Sequence, residues 1–341
     1  MHGLAVYSPW HRAEVGRVAT ARAMLFCGLS DLTSPSELLR ASSRTVRGCM
    51  SVCTVIPAYN AEVFLRKAID SVLGQTTPVD EIIVVDDGSK DGTRALVESY
   101  GDRVRLMRQQ NQGPAAARNL AVGSTTCDTI AFLDADDAWH PQKIEKQLAA
   151  MAATKGAVFC YTGLLYCHAD GRQDEMPAMP PETLRSRLRV GNTRLVPSCV
   201  MVSRAAFLSV GGFDTGLKGS EDWDLAIAML DLGPFCAVDE QLTFYQVSEG
   251  GLSGDADWMF LEAKKMLARR LIADKHGVSR WFWRQRILSY CAYCAGLNAR
   301  VKKQDAKELG YMLRAVLQWP SPWWHAVRFK ALAVTLRNRL L

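Results

Sequence analysis

Two carboxylates one residue apart, Asp134 and Asp136, follow the apolar run Thr129–Leu133. At a strand end such a pair opens toward one space, and its repulsion is costly unless a cation neutralises it. A hard divalent ion with oxygen ligands and open positions would meet that need and bridge to a diphosphate. The structural alternative is an acidic turn in which Asp137 serves as a helix-associated cap. The context Phe132-Leu-Asp-Ala-Asp-Asp-Ala-Trp139 favours the cation: a hydrophobic strand delivers the carboxylates and an aromatic closes the turn behind them.

Other clusters offer complementary chemistry. Asp86-Asp-Gly-Ser89 reads as a strand-ending turn, or as a carboxylate placed to accept the imide N–H of a uracil. Tyr59 is either a rim aromatic or a platform for a base, worth about 1–3 kcal/mol by analogy with nucleic-acid stacking. Arg118, within Gly113-Pro-Ala-Ala-Ala-Arg-Asn119, faces phosphate oxygens or is a solvated helix charge. Gly219-Ser-Glu-Asp-Trp-Asp224 opens a helix, where the dipole favours anions, with Ser220 as a cap. The functional reading of this acidic cluster is a general base for an acceptor hydroxyl.

The elements between these clusters must bring them together. Ser51–Pro57 reads as a buried parallel strand, and Glu81–Asp86, Val104–Met107 and Thr129–Leu133 as three further strands. Ala61–Leu73, Thr93–Tyr100, Pro114–Val122 and Pro141–Met151 alternate with them as helices. That alternation implies a parallel sheet with right-handed crossovers, whose ligands collect at the carboxyl ends of the strands. Pro57–Asn60, Asp86–Ser89, Asn111–Pro114 and Asp134–Asp137 all fall at that edge. Beyond Lys155 the alternation breaks. Ala157–Tyr166, Arg194–Ser203 and Leu242–Val247 read as strands, Ala169-Asp-Gly171 as a hairpin turn, Met176–Pro181 as a loop and Ser220–Leu232 as a helix. This mixed half is expected to pack against the parallel half and supply a substrate surface.

Composition excludes several classes. The 341 residues are 48% hydrophobic and 22% charged, enough for a catalytic domain with appendages. Net charge is +6, but roughly 17 basic against 4 acidic residues fall after Met259, so the basic excess lies in a tail rather than across a nucleic-acid-binding face. The ten cysteines lie in apolar runs and read as buried thiols of a reducing compartment; Cys291-Ala-Tyr-Cys294 lacks a second pair. No apolar run approaches the ~18 residues of a membrane span, and residues 1–49 lack the core of a signal peptide. The expected organisation is an N-terminal extension 1–49, with Met50 as a second candidate start, a catalytic domain 50–254, and a basic, aromatic, helical region 255–341.

Val55-Ile-Pro-Ala-Tyr-Asn60, Val84-Val-Asp-Asp-Gly-Ser89, Asn111–Asn119, Phe132–Asp137, Gly211-Gly-Phe-Asp214 and Glu221-Asp222 occur in this order. Together they resemble glycosyltransferase family 2, over about 200 residues. The resemblance implies a GT-A fold: a mostly parallel α/β sheet flanked by helices, here with a helical C-terminal extension. It implies inverting transfer from a nucleotide-diphosphate sugar to a hydroxyl of a glycan or lipid-linked acceptor in cell-surface polysaccharide synthesis. By that resemblance Pro57, Ala58, Tyr59 and Asp87 hold the nucleoside, and Glu62 and Arg118 support the nucleotide side. Asp134 and Ala135 line the donor, Asp134 and Asp136 bind Mn²⁺ or Mg²⁺ with Asp136 the more direct ligand, and Asp222 deprotonates the acceptor. A UDP-sugar is favoured because Asp87 suits the uracil edge; thymidine shares that edge and guanosine stays open. One departure is the domain end: members often carry an Arg and a His before the closing Ser, whereas this chain reads Tyr245-Gln-Val-Ser-Glu-Gly-Gly-Leu-Ser253. No Gln-x-x-Arg-Trp stretch is present, which argues against a processive synthase.

Rival classes are a non-catalytic nucleotide- or glycan-binding protein that keeps the fold, and a sugar nucleotidyltransferase. A degenerate binder should have lost one of Asp87, Asp136 and Asp222; a nucleotidyltransferase should carry a Gly-rich basic loop where this chain has Pro57–Glu62. Trp281-Phe-Trp283, Arg284, Arg286, Trp319, Trp323-Trp324, Arg328 and Lys330 combine charge with aromatic anchors. They read equally as a membrane-surface segment near a lipid-linked acceptor or as a helical subdomain with packed tryptophans. The expected location is cytoplasmic, with peripheral attachment to the inner face of the cell membrane under the first of these readings.

Overall fold

In the computed structural model, the described residues are 50–189, 195–247, 256–266, 270, 276–301, 304–318 and 322–340. The expected extension 1–49 and the loop 248–253 lie outside them. The chain opens with β1 (Val52–Ala58), buried along its whole length, as a run apolar but for Thr54 requires of a central strand. Then come α1 (Leu65–Leu73), β2 (Glu81–Asp86), α2 (Thr93–Glu98), β3 (Arg105–Arg108), α3 (Pro114–Ser124), β4 (Thr129–Phe132), the short β5 (Ala138–Trp139) and α4 (Lys143–Ala153). The second half adds β6 (Phe159–Cys167), β7 (Gln173–Met176), α5 (Pro181–Leu188), β8 (Val200–Ser203), α6 (Arg204–Ser209), α7 (Glu221–Met229) and β9 (Phe235–Gln246). Four helices follow: α8 (Ala256–Met266), α9 (Gly277–Val301), α10 (Asp305–Gln318) and α11 (Pro322–Leu340).

The strands form one nine-stranded sheet in the order β3-β2-β1-β4-β8-β6-β9-β5, with β7 paired to β6. β3, β2, β1 and β4 are parallel, as the strand–helix alternation demands. β8 then inserts antiparallel between β4 and β6, through pairs such as Ala131↔Met201 and Cys160↔Met201. The expectation of two packed halves is thus corrected: the mixed half continues the same sheet. This addition sets the second half of the chain beside β4, the strand that delivers Asp134.

Apolar side chains cover both faces of the sheet. One cluster joins Ile56, Leu65, Ile69, Val84, Leu133 and Ile144 under α1 and α4. The other joins Val55, Phe132, Phe159, Phe207, Trp223 and Phe235, and continues without a break into Phe260, Ile287 and Ala292 of the C-terminal helices. At about 25 cal/mol per Å² of apolar area, such burial is the main drive for the sheet to fold. Two glycines are required by geometry. Gly88 and Gly113 have φ of +83° and +90°, and a Cβ at Gly88 would lie 3.1 Å from the Asn111 nitrogen.

Some local expectations fail for physical reasons. β9 begins at Phe235 rather than Leu242, because Asp239 and Glu240 interrupt its apolar pattern where the β6 register shifts at Thr162–Gly163. α5 and α6 were not expected, since helices of eight and six residues are too short to show a helical period. α1 starts at Leu65, after the loop from Tyr59 takes Asn60 through φ 48°.

Candidate functional site

The strand ends meet as sheet geometry requires. Pro57 and Ala58 are buried at the end of β1, while Tyr59 next to them is 48% exposed, its ring available at the rim. Two loops are laced together there: the Asn60 N–H donates to Ser89 Oγ at 3.0 Å, and the Lys90 N–H donates to Asn60 Oδ1 at 2.9 Å. Glu62 is an exposed brace in this lacing, its Oε2 accepting the Gly92 N–H at 2.9 Å.

Asp86 and Asp87 divide the work at the end of β2. Asp86, fully buried, accepts the Ser89 N–H at 2.8 Å and Arg108 Nε at 3.1 Å. Asp87 receives Gln109 Nε2 at 2.7 Å and the Gln112 N–H at 2.9 Å on one oxygen, and the Gly113 N–H at 2.8 Å on the other. It therefore fixes the loop that opens α3. A carboxylate has about four acceptor positions, so room for one further donor remains.

Arg118 leaves α3 with its guanidinium 3% exposed, over the Phe213 ring at 5.2 Å. One nitrogen, Nη2, donates to Asp134 Oδ1. Nη1 lies 3.5 Å from Glu221 Oε1, across 103 residues of sequence. Burial opposes its charge, but the Asp134 and Glu221 carboxylates outweigh that and raise its pKa. Among the described residues, two polar atoms in this network find no hydrogen-bond partner: Arg118 Nε and Glu221 Oε2. Leaving such groups unmet inside a protein costs about 1–3 kcal/mol each, so both atoms are suited to meet a bound ligand or water.

Asp134 and Asp136 are partly exposed, Ala135 between them packs against the core, and Asp137 is buried. Asp137 proves structural: its Oδ2 accepts Ser198 Oγ at 2.5 Å and its Oδ1 the Gln246 N–H at 2.9 Å. Ser198 Oγ in turn accepts the Asp134 N–H at 3.0 Å, so Asp137 holds the turn from below instead of capping a helix. Burial, then the Asp134 charge, raises the Asp136 pKa; burial with both neighbours raises Asp137 well above its ordinary value.

α7 brings Glu221 and Asp222 to the same place. Ser220 is at its cap position but makes no side-chain capping bond. Asp222 is partly accessible yet deeply surrounded; burial, followed by the Glu221 charge, pushes its pKa up to about 8. Asp134 and Arg118 also act on it electrostatically, which joins α7 to the Asp134 turn. Four carboxylates, at 134, 136, 221 and 222, thus act on one guanidinium. That donor set suits a hard divalent cation at Asp134 and Asp136, with further oxygens from a ligand. Among the described residues no group of three or more His, Cys, Asp or Glu forms a complete metal site.

Sequence reasoning missed the supports. Glu262 of α8, buried, accepts the Lys218 N–H at 2.8 Å, and Arg270 grips the buried Asp224 through two bonds of 2.5 and 2.8 Å. Trp258 lies against Gly219 so closely that a Cβ there would be 2.2 Å from its ring. Both flanks of Ser220–Asp222 are therefore held by the C-terminal region. The buried acid Glu262 was the available signal, since a lone Glu on a helical core face needs a partner.

Residues 53–211 match the model of glycosyl transferase family 2. The chain is 32% identical over 188 residues to an uncharacterized glycosyltransferase, RP339, of Rickettsia prowazekii, covering 51% of this chain and 57% of that protein. It is 31% identical over 217 residues to the succinoglycan biosynthesis protein ExoO of Rhizobium meliloti, covering 59% of this chain and 62% of the relative. Among solved structures, S. aureus TarS 1–349 aligns with TM-score 0.53 at 18% identity, over 80% of this chain and 81% of that one. TarS 1–349 in complex with UDP aligns with TM-score 0.54. At that identity the likeness concerns the fold, and it matches the GT-A architecture of a curled sheet flanked by helices. The chain spans 57–62% of the length of these curated relatives. Residues 53–211 of the chain are thus similar to glycosyl transferase family 2.

Proposed function

We propose that the protein is a glycosyltransferase that moves a sugar from a nucleotide-diphosphate donor, a UDP-sugar first among them, to a hydroxyl of a glycan or lipid-linked acceptor, with inversion. The reading extends to surface polysaccharide synthesis at the inner face of the cell membrane, carried by a catalytic domain 50–254 with the helical region 255–341 behind it. The observation that supports it most is the Arg118 bridge, which unites Asp134 after β4 with Glu221 at the start of α7. Donor-side and acceptor-side groups thereby share one electrostatic unit. ExoO is named for succinoglycan biosynthesis, and TarS has been captured with UDP and with UDP-GlcNAc, which favours this substrate class by analogy.

In this reading Tyr59 stacks on the base and the remaining acceptor position of Asp87 takes the imide N–H. Pro57 and Ala58 form the floor under the nucleoside, with Glu62 bracing its loop. Asp134 and Asp136 would hold Mn²⁺ or Mg²⁺, which when bound offsets the charge of the departing diphosphate. Asp222 accepts the proton of the acceptor hydroxyl as its oxygen bonds to the anomeric carbon. The bond from that carbon to the diphosphate oxygen breaks on the opposite face, and the nucleoside diphosphate leaves with the electron pair. Arg118 stays fixed and keeps the Asp134 carboxylate oriented.

The deciding experiment is a panel of nucleotide sugars with Mn²⁺, run on wild type and Asp222→Asn. Divalent-dependent turnover of one donor, nearly lost in the variant while nucleotide binding persists, is the expected result. Full turnover by Asp222→Asn removes it as the base, and equal turnover in excess chelator removes the cation.

A further inference from the structure

The C-terminal helices separate the aromatic–basic residues into two groups. Arg328 is buried and donates to Ser289 Oγ, so it is a structural cation within the bundle rather than a surface charge. Trp283 packs against the core, with Arg286 stacked on it at 5.1 Å. The side chains of Trp319, Trp323 and Trp324 lie outside the described residues. Near the start of α9, in contrast, Val278 is 82% exposed, Trp281 59% and Phe282 40%. Positions 278, 281 and 282 follow the i, i+3, i+4 spacing of one helix face.

Helix α10 runs antiparallel beside α9. Gln318 Nε2 donates to Gln285 Oε1 at 3.1 Å, which places the end of α10 next to the start of α9. Leu313 and Leu317 are exposed there, Leu317 by 76%, along an open groove of about 470 Å³ between Gln285 and Gln318. Scattered exposed apolar residues need no explanation, but a contiguous set ringed by one sign of charge does.

Among the described residues the charge is one-sided at this end. Arg280 and Arg284 are exposed beside the aromatic turn, and residues 277–301 contain no acid. No acid follows Glu308 either. Asp274 precedes α9 outside the described residues. Among the described residues the acids of the region sit elsewhere: Asp305 and Glu308 open α10, about 13 Å or more along its axis from Leu317 at 1.5 Å per residue. Glu308 pairs with Arg300, Glu262 with Lys265 and Asp257 with Lys307. Among the described residues no helix is long and apolar enough to cross a membrane, so contact along a surface is the geometry open to these helices.

We infer that the end of the bundle formed by the start of α9 and the end of α10 is a docking surface for an anionic phospholipid bilayer. Trp281, Val278 and Leu317 insert at the headgroup level while Arg280 and Arg284 meet lipid phosphates. This deepens the membrane-side reading of the function and rests on it, but lipid binding needs no turnover. The test is co-sedimentation of the full chain with vesicles of phosphatidylcholine alone and of phosphatidylcholine mixed with phosphatidylglycerol. Wild type is expected to sediment with the anionic vesicles and to be released by high salt. Arg280→Gln and Arg284→Gln should each weaken partitioning about fivefold. Trp281→Ala should weaken it roughly tenfold, with Trp281→Phe retaining most of it and melting temperatures unchanged.

Absence of sedimentation, or variants that bind like wild type, overturns the proposal. So does a concentration-dependent dimer that Trp281→Ala dissolves in the absence of lipid, since a second copy would then be the occupant. Asp222→Asn separates the two ideas. If it sediments normally, docking stands whatever the fate of transfer; if wild type turns over donor but ignores both vesicles, docking falls and transfer stands.

Discussion

The two sides of the site are built on opposite principles. At the ends of β1 and β2 the polar groups are met from within the chain: Asp87 takes three donors, Asp86 two, and Glu62 and Asn60 knit neighbouring loops. On the other side, between the Asp134 turn and α7, they are left wanting. Among the described residues Arg118 Nε and Glu221 Oε2 lack partners, and burial with like charge pushes Asp136, Asp137, Glu221 and Asp222 upward. The first side is finished on folding and can present a rigid surface to a base. The second stores unfavourable electrostatics that a cation, a diphosphate and an acceptor hydroxyl would relieve.

The sharpest way to break this contrast is Asp222→Asn. Turnover should fall about 10³-fold or more, because the proton acceptor is gone. Stability should move the other way. The folded pKa, near 8, lies above the ordinary Asp value of 3.8, so the native state binds the proton more tightly than the unfolded chain. That contribution is full below pH 3.8 and is lost as pH rises to about 8. The variant, permanently neutral, should therefore gain on wild type in melting temperature as pH climbs from 5 to about 9. A variant that melts lower throughout would show that Asp222 is not strained.

Asp136→Asn comes next. Removing one carboxylate of the pair should cost about 10²-fold in turnover, with partial recovery at high Mn²⁺. Because like charge is also removed, its folded state should melt no lower than wild type in a thermal scan without metal. On the opposite side Asp87→Asn should do the reverse. An amide cannot accept from Gln109, Gln112 and Gly113 together, so stability should drop by about 1–3 kcal/mol in a denaturant titration. Nucleotide affinity should fall with it. Were Asp87→Asn silent for stability while Asp222→Asn lost it, the comparison would be inverted.

The same contrast explains what was legible in the sequence. β1, β2 and β4 announce themselves as mainly apolar runs, and the polar clusters that end them follow from strand direction alone. Asp134, Asp136, Arg118 and Asp222 were each visible by type and setting. Their meeting was not. It depends on β8 entering antiparallel beside β4, and Val200–Ser203 is too short a strand to reveal its partner. The Ser198 relay to Asp137 is equally hidden, since a serine before a short strand has many uses. Asp87 was readable as a base contact but not as the anchor of the 109–113 loop, which depends on backbone N–H groups that carry no sequence signature.

The smallest expected effect probes what holds the strained side in place. Glu262 accepts the Lys218 N–H at 2.8 Å and Lys265 Nζ at 2.5 Å, and these bonds outweigh its burial to lower its pKa. Glu262→Ala leaves the Lys218 N–H without its acceptor, four residues ahead of Asp222, and should lower kcat roughly fivefold by loosening α7's entry. Donor KM should stay put, because no bond among the described contacts links Glu262 to the β1–β2 side. Glu262→Gln retains an oxygen for Lys218 and lets Lys265 turn to solvent, so it should recover most of the rate. Since the folded pKa is depressed, the stabilisation is present above the ordinary Glu value of 4.5 and fades as pH falls through it; the melting gap between wild type and Glu262→Ala should close in acid. Equal losses in kcat and donor affinity would mean that α8 supports the whole site, and that the two sides are mechanically one.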